Sequence, residues 1–177
     1  RIILAVTVSF ASNKLIMKQK NELQLQTDKY AEEINTWFTD IIVLSEESAK
    51  NISTARELSI GYNFEKNYET IWNILYEHIK GHDEVFNMYY ARTDNKFCME
   101  DRQLKAQLPS DFAPTERGWY KMAEKAGKTI IQEPYVDVST GKMCATVATP
   151  VYIDNVLAGV LGVDVYLTEI DELVNSI

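Results

Sequence analysis

For its first sixty residues the chain carries neither glycine nor proline; the first helix breaker is Gly61. A run of this length without either residue points to a helix far longer than globular domains usually hold. The apolar pattern agrees. From Ile34 the positions Ile34, Trp37, Phe38, Ile41, Ile42, Ser45, Ala49 and Ile52 recur at steps of three and four, which marks one helical face. Lys29, Glu32, Glu33, Asp40, Glu46, Glu47 and Lys50 mostly take the other sides. The pattern predicts one long helix, or two nearly collinear ones, over residues 12–58, ended by Gly61. Such a helix buries only part of itself on a small domain. The leftover stripe wants a partner helix, and a homodimer is the simplest supplier. The alternative is a helix packed wholly on its own domain.

Ahead of this pattern lies the apolar run IILAVTVSFA at residues 2–11, flanked by Arg1, Lys14, Lys18 and Lys20. About 20 residues are needed to span a bilayer, so the run alone is too short. A signal-peptide core or a buried helix end would look similar. The chain starts inside the run, and the helical pattern continues past it without a cleavage-like site. Residues 1–12 are therefore read as the end of a transmembrane helix, which puts the remainder outside the cytoplasm, in the periplasm or beyond the cell. The four cations account for +4 of the formal net charge of −8, so the remainder carries about −12. That balance argues against a nucleic-acid partner. At 177 residues there is room for one good core and a long appendage.

Beyond Gly61 a second helix is predicted at Tyr68–Ile79, with Ile71, Trp72, Leu75, Tyr76 and Ile79 at helical spacing. Gly81, His82 and Asp83 make a turn, after which the period changes to two. Val85–Ala91 reads as a strand, Asp94-Asn95 as a hairpin turn and Lys96–Met99 as the return strand. Residues 101–114 read as an ordered loop. Thr115 is placed to cap a helix that starts near Glu116 and stops at Gly127. Strands follow at Thr129–Val138, Lys142–Ile153 and Val156–Tyr166, and Thr168 caps a last amphipathic segment. Strands joined by short turns, with helices between them, give an α+β domain with an antiparallel sheet.

Enzyme chemistry finds little support. No phosphate-binding loop is present, and the seven glycines are scattered. His78 and His82 stand four apart across a helix end without a third ligand, a pattern that fits a surface better than a metal site. Cys98 and Cys144 could form one disulfide or be two unrelated thiols. No serine or cysteine has an evident general base. The expectation is a non-enzyme with neither metal nor cofactor.

Residues 117–164 carry the chemistry that can be argued. Arg117 and Tyr120 are three apart at a helix start, so both are expected on one face, with Trp119 between them. Tyr135 and Asp137 are two apart in a strand and share a side. In the last strand Ala158, Val160, Gly162, Asp164 and Tyr166 are expected to point one way, and Leu157, Leu161, Val163 and Val165 into the core. The face that carries Asp164 is thus lined by small residues, which leaves room for a ligand. Arg117 can grip a carboxylate through its planar fork, with the Trp119 N–H and Tyr120 hydroxyl as further donors. Asp137 and Asp164 can accept from an ammonium, over which Tyr135 offers a ring face. Cation first and anions last suit a zwitterion held at both ends. Each residue also has a plainer role: Arg117 a surface charge or salt bridge, Asp137 a turn residue, Trp119 and Tyr120 core aromatics. Asp164 resists that alternative, since a carboxylate amid GVLGVDVYL is costly unless paired.

Together Arg117-Gly-Trp119-Tyr120, Tyr135-Val-Asp137 and Gly162-Val-Asp164 resemble the membrane-distal module of double-Cache sensor domains, in particular the branch that binds α-amino acids. The likeness covers residues 12–177 and includes the helix that rises from the membrane. It implies a PAS-like five-stranded sheet in the order 2-1-5-4-3. It also implies that Arg117, Trp119 and Tyr120 hold the ligand carboxylate, and Asp137 and Asp164 its amino group, beside Tyr135. Where the family has a Tyr five residues before the Arg, this chain has Phe112, so one hydroxyl donor is missing. Cys98 and Cys144 would fall on non-adjacent strands and stay free. The implied division is 1–12, the end of a membrane helix; 13–60, the emergent helix; 61–167, the sensor module; and 168–177, the start of a connection to a membrane-proximal module. The implied function is extracytoplasmic sensing of a small α-amino acid by a transmembrane receptor, most plausibly a methyl-accepting chemotaxis protein. Side-chain selectivity would come from the strand at 85–91 and the loop at 101–114. The same module also precedes histidine kinases and cyclic-dinucleotide enzymes, an amine or small carboxylate would need only one clamp, and a non-binding dimerisation spacer would need neither.

Overall fold

The computed structural model describes residues 23–166 and Thr168, with side chains from Thr36 onward. The apolar run at 2–11 and the segment beyond Thr168 lie outside the described residues, as do the readings placed on them. Among the described residues no helix is long and apolar enough to cross a membrane.

The long helix is α1 (Leu23–Thr54). Its buried face, Phe38, Ile41, Leu44, Ser45, Ser48, Ala49 and Ile52, follows the expected stripe. It stops at Thr54 rather than at Gly61. The Ser53 and Thr54 hydroxyls both turn back onto the Lys50 carbonyl, competing with the helical ladder. Gly61, at φ +70°, serves a later turn. Helix α2 (Tyr68–Ile79) buries Ile71 and Leu75.

The first hairpin pairs β1 (Asn87–Arg92) with β2 (Phe97–Met99). It starts two residues later than the alternation suggests, because Val85 N–H is taken by His82 O in a turn. The stretch read as a loop contains a four-residue helix, α3 (Arg102–Lys105), whose N-cap Asp101 accepts from Leu104 N–H at 2.9 Å. A 3-10 turn at Pro114–Glu116 precedes α4 (Gly118–Ala126). Thr115 does not cap that helix. Its N–H and hydroxyl both donate to Asn95 Oδ1, which ties the 3-10 turn to the hairpin. The cap position belongs to Arg117, in extended backbone at ψ 149°. Gly127 closes α4 at φ 63°.

Strands β3 (Ile130–Val136), β4 (Met143–Ile153) and β5 (Val156–Tyr166) complete an antiparallel sheet in the order β2-β1-β5-β4-β3. This is the α+β, PAS-like arrangement. Two central strands, β1 and β5, separate Cys98 from Cys144, and both thiols are free.

The sheet divides two packed layers. On one face α1 and α2 bury Phe38, Ile41, Ile52, Ile71 and Leu75 against Met88, Val147, Leu161, Val163 and Val165. On the other, α4 and the 97–112 segment pack Phe97, Trp119, Tyr120 and Ala123 over Tyr89, Ala91, Ala148 and Val160. Ala158 joins the first layer, not the second as the alternation of the last strand suggested. A register shift between Val151 and Tyr152, where β4 meets β5, puts it out of phase. The second layer is incomplete, and the gap is the candidate site.

Candidate functional site

The gap is a cleft in the second layer, part of it open to solvent. Its apolar end is made by Phe97, Met99, Leu108, Phe112 and Trp119; its polar end by Arg117, Tyr135, Asp137, Ser139 and Asp164, with Tyr89 and Val138 completing the wall. Phe112, Arg117, Trp119, Tyr135, Asp137 and Asp164, all singled out from the sequence, therefore meet at one void.

Tyr120 does not line it. Because Arg117 is the extended cap and not a helical residue, the three-residue spacing sets no common face. Tyr120 instead lies buried in the second layer, its hydroxyl without a partner and pushed up to about 12 by burial. The space expected over the small residues of β5 is also partly filled. A Cβ on Gly162 would stand 2.2 Å from the Tyr89 ring, so the missing side chain makes room for Tyr89 and not for a ligand.

Asp164 is 3 % exposed. The Tyr89 hydroxyl donates to its Oδ1 at 2.7 Å and the Thr146 hydroxyl at 2.6 Å. Thr146 thereby spends its only proton, so Tyr135, 2.6 Å away, donates to Thr146. Two hydroxyls thus donate to one carboxylate oxygen, with Tyr135 backing Thr146, an arrangement that suits the charged form. Burial outweighs them: it pushes Asp164 up to about 7, and nearby Asp137 adds to the rise. Burial and the Asp164 charge push the Tyr89 and Tyr135 hydroxyls up, which keeps both as donors.

Asp137 follows β3 and shapes the turn to β4. Its Oδ2 accepts from Ser139 Oγ at 2.5 Å, Thr140 N–H at 2.9 Å and Thr140 Oγ1 at 2.6 Å. The turn role and the place in the wall thus belong to the same side chain. Arg117 is half-buried, and among the described residues it makes neither an ion pair nor a side-chain hydrogen bond. By contrast Arg92, Lys96, Arg102 and Lys121 each pair with a carboxylate.

Sequence reasoning missed Tyr89 and Thr146, which hold Asp164. It also missed a polar row that crosses this face of the sheet. Strand pairing sets Asn87 opposite Asp164, Asp164 opposite Thr146, and Thr146 opposite Gln132. The row's two ends, Asn87 Nδ2 and Oδ1 and Gln132 Oε1, are buried without partners. Only the register between distant strands reveals it.

Comparison with known proteins converges on one family. A sequence model of the methyl-accepting chemotaxis protein-like, first PDC sensor domain matches residues 20–172. The chain is 49% identical over 69 residues to methyl-accepting chemotaxis protein PscA of Pseudomonas syringae pv. tomato, covering 39% of this chain and 11% of that protein. It is 28% identical over 147 residues to PctB of Pseudomonas aeruginosa, covering 83% of this chain and 21% of that protein. The chain thus spans about a fifth or less of these curated relatives. The ligand-binding domain of the Pseudomonas fluorescens chemoreceptor CtaA, solved in complex with L-alanine, superposes with a TM-score of 0.72 at 26% identity, over 88% of this chain and 63% of that one. The chain belongs to the first-PDC, Cache-type sensor domains of methyl-accepting chemotaxis proteins, and is a chemoreceptor ligand-binding domain.

Proposed function

We propose that this domain binds a small α-amino acid by its two charged ends. Arg117 and the Trp119 N–H take the carboxylate; Asp164 Oδ2 and Asp137 take the ammonium, beside the Tyr135 ring. The observation that carries this reading is Arg117, a cation without an ion-pair partner among the described residues, sharing one cavity with two buried carboxylates. Enclosure strengthens both clamps, since charges interact more strongly away from water. The sensor domains of CtaA and PctB, solved with L-alanine and L-arginine, lend support as relatives.

Micromolar affinity needs about 8 kcal/mol, and hydrogen bonds to charged groups contribute about 1.5–3 kcal/mol each. Three or four such bonds, less ordering costs, reach that scale. On this reading residues 1–12 end a transmembrane helix, 13–60 rise from the membrane, 61–167 form the distal extracytoplasmic module and 168–177 begin the connection to a proximal one. The stripe of α1 left over by its own domain would pair with a second copy; a chain that sediments as a monomer at every concentration would remove that pairing.

The decisive experiment is a thermal-shift screen of the chain against the twenty amino acids, simple amines and short carboxylates. A ligand at 100 times its Kd stabilises by about 2.7 kcal/mol. Arg117→Ala or Asp164→Ala should abolish that shift while leaving the fold intact, because an uncompensated buried charge costs about 3–5 kcal/mol. Retention of binding within tenfold in either variant, or a response to amines or carboxylates alone, would overturn the two-ended clamp.

A further inference from the structure

Asn87 is the unexplained side chain of this face. It is 1 % exposed, and neither its Oδ1 nor its Nδ2 has a hydrogen-bond partner. Buried carboxamides are costly to leave in that condition, and native structures seldom do so without a use. Its position is equally specific. Asn87 pairs directly with Asp164 across β1 and β5, so the two side chains stand together on the face that carries the cavity. Tyr89, two residues on and therefore on the same face, lines the cavity and donates to Asp164. Met99 pairs with Tyr89 on the other side and belongs to the apolar end. Asn87 thus lies beside Asp164, two residues along β1 from Tyr89, on the face of the sheet that carries the cavity. Asn87 does not itself line the cavity, so bonding a ligand there requires its amide to turn about its χ angles.

We propose that Asn87 is a specificity-determining residue that hydrogen-bonds the side chain of the bound amino acid, selecting neutral polar side chains over aliphatic ones. This rests on the amino-acid reading of the site. A carboxamide offers one acceptor and two donors, and its complement is a group that both gives and takes a hydrogen bond. Hydroxyl and carboxamide side chains do so. Acidic side chains are disfavoured there by Asp164 and Asp137. Basic ones would compete with the ammonium for Asp164 and Asp137 and otherwise meet Phe97, Met99 and Leu108. Sites built to hydrogen-bond a substrate group reject the analogue that lacks it more strongly than apolar pockets reject an added methylene.

The test measures Kd by calorimetry for serine, threonine, asparagine, glutamine, valine and leucine on the chain and on Asn87→Leu, which is near in size and apolar. At least one polar ligand should bind the natural chain at least tenfold more tightly than the aliphatic ones. Asn87→Leu should reverse or erase that preference while aliphatic affinity holds or rises. Its melting temperature without ligand should not fall, because the amide it replaces bonds nothing in the fold. Should Asn87→Leu fold poorly, Asn87→Ser takes its place in the same comparison, and a Ser variant that keeps the natural ligand preference overturns the proposal. Equal loss for polar and aliphatic ligands, or an unchanged preference, overturns the proposal and leaves the two-ended clamp standing. No binding by any of the six overturns both.

Discussion

Asp164 stands between two opposed forces, and its behaviour with pH follows from them. Two hydroxyls, of Tyr89 and Thr146, favour its charge, burial opposes it, and the outcome is a group raised from the usual 3.8 to about 7. Between those two values the unfolded chain has released the proton that the folded chain still holds. Stability is therefore fully present below about pH 4 and falls as pH rises toward 7, by at most about 1.4 kcal/mol per unit. Asp164→Asn resembles the protonated acid in shape and removes this dependence. The variant should match the natural chain near pH 4 and exceed it at pH 8, read from urea midpoints; parallel curves would show that Asp164 is not raised. An ammonium ligand acts in the opposite sense, since it binds the carboxylate. Affinity for an amino acid should rise from pH 5.5 to 7.5, with proton release visible as a buffer-dependent binding enthalpy.

The central hairpin, β4 and β5, shows what an element can and cannot disclose in advance. Its strands were legible almost to the residue, since alternation and the Asp154-Asn155 turn, both at positive φ, are local signals. Arg117, Trp119, Tyr135, Asp137 and Asp164 were legible as types and spacings, and the fold brings them to one void. Three features were not. The bulge that turns Ala158 toward α1 depends on what β4 does opposite. The extended cap at Arg117, which parts it from Tyr120, depends on Thr115 being held by Asn95. The filling of the space over Gly162 by Tyr89 depends on β1 pairing with β5, a strand far away in sequence. The two glycines of β5 turn this into a prediction. A Cβ on Gly159 would stand 2.2 Å from the Ala91 carbonyl oxygen, which is backbone and cannot yield without moving β1. A Cβ on Gly162 meets a side-chain ring, which can swing away. Gly159→Ala should therefore cost about 1–3 kcal/mol or more in denaturant unfolding. Gly162→Ala should cost less in stability but displace Tyr89 from Asp164, weakening ligand binding at least tenfold. A variant at 162 that binds normally would show that Tyr89 does not matter to the site.

At the scale of the whole molecule, β4 carries side-chain hydrogen bonds on both faces of the sheet. β4 presents Thr146 to Asp164, which lines the cavity, and three residues on presents Thr149 to α1, where its hydroxyl meets Ser45 Oγ at 2.7 Å. Thr129 joins the same cluster, bonding Thr149 at 3.0 Å and Glu46 at 2.8 Å. Ser45 is fully buried, so its hydroxyl depends on this contact. A ligand that fixes Asp164 also fixes Thr146, and with it the position of β4 under the long helix. A ligand can shift an equilibrium only through elements it contacts differently in two states, and β4, bonded to Asp164 through Thr146 and to α1 through Thr149, can carry such a difference to α1. Hydrogen exchange offers the measurement. A saturating amino acid should slow exchange in β4 and β5 and also in the α1 segment around Ser45. Replacing both partners, Ser45→Ala with Thr149→Val, removes the polar tie without leaving Ser45 unsatisfied, so the fold should hold. In that double variant protection of the strands should persist while the added protection of α1 disappears. If α1 responds as before, packing of Phe38, Ile41 and Ile52 on the sheet carries the coupling, and the hydroxyl cluster serves only to seat the helix.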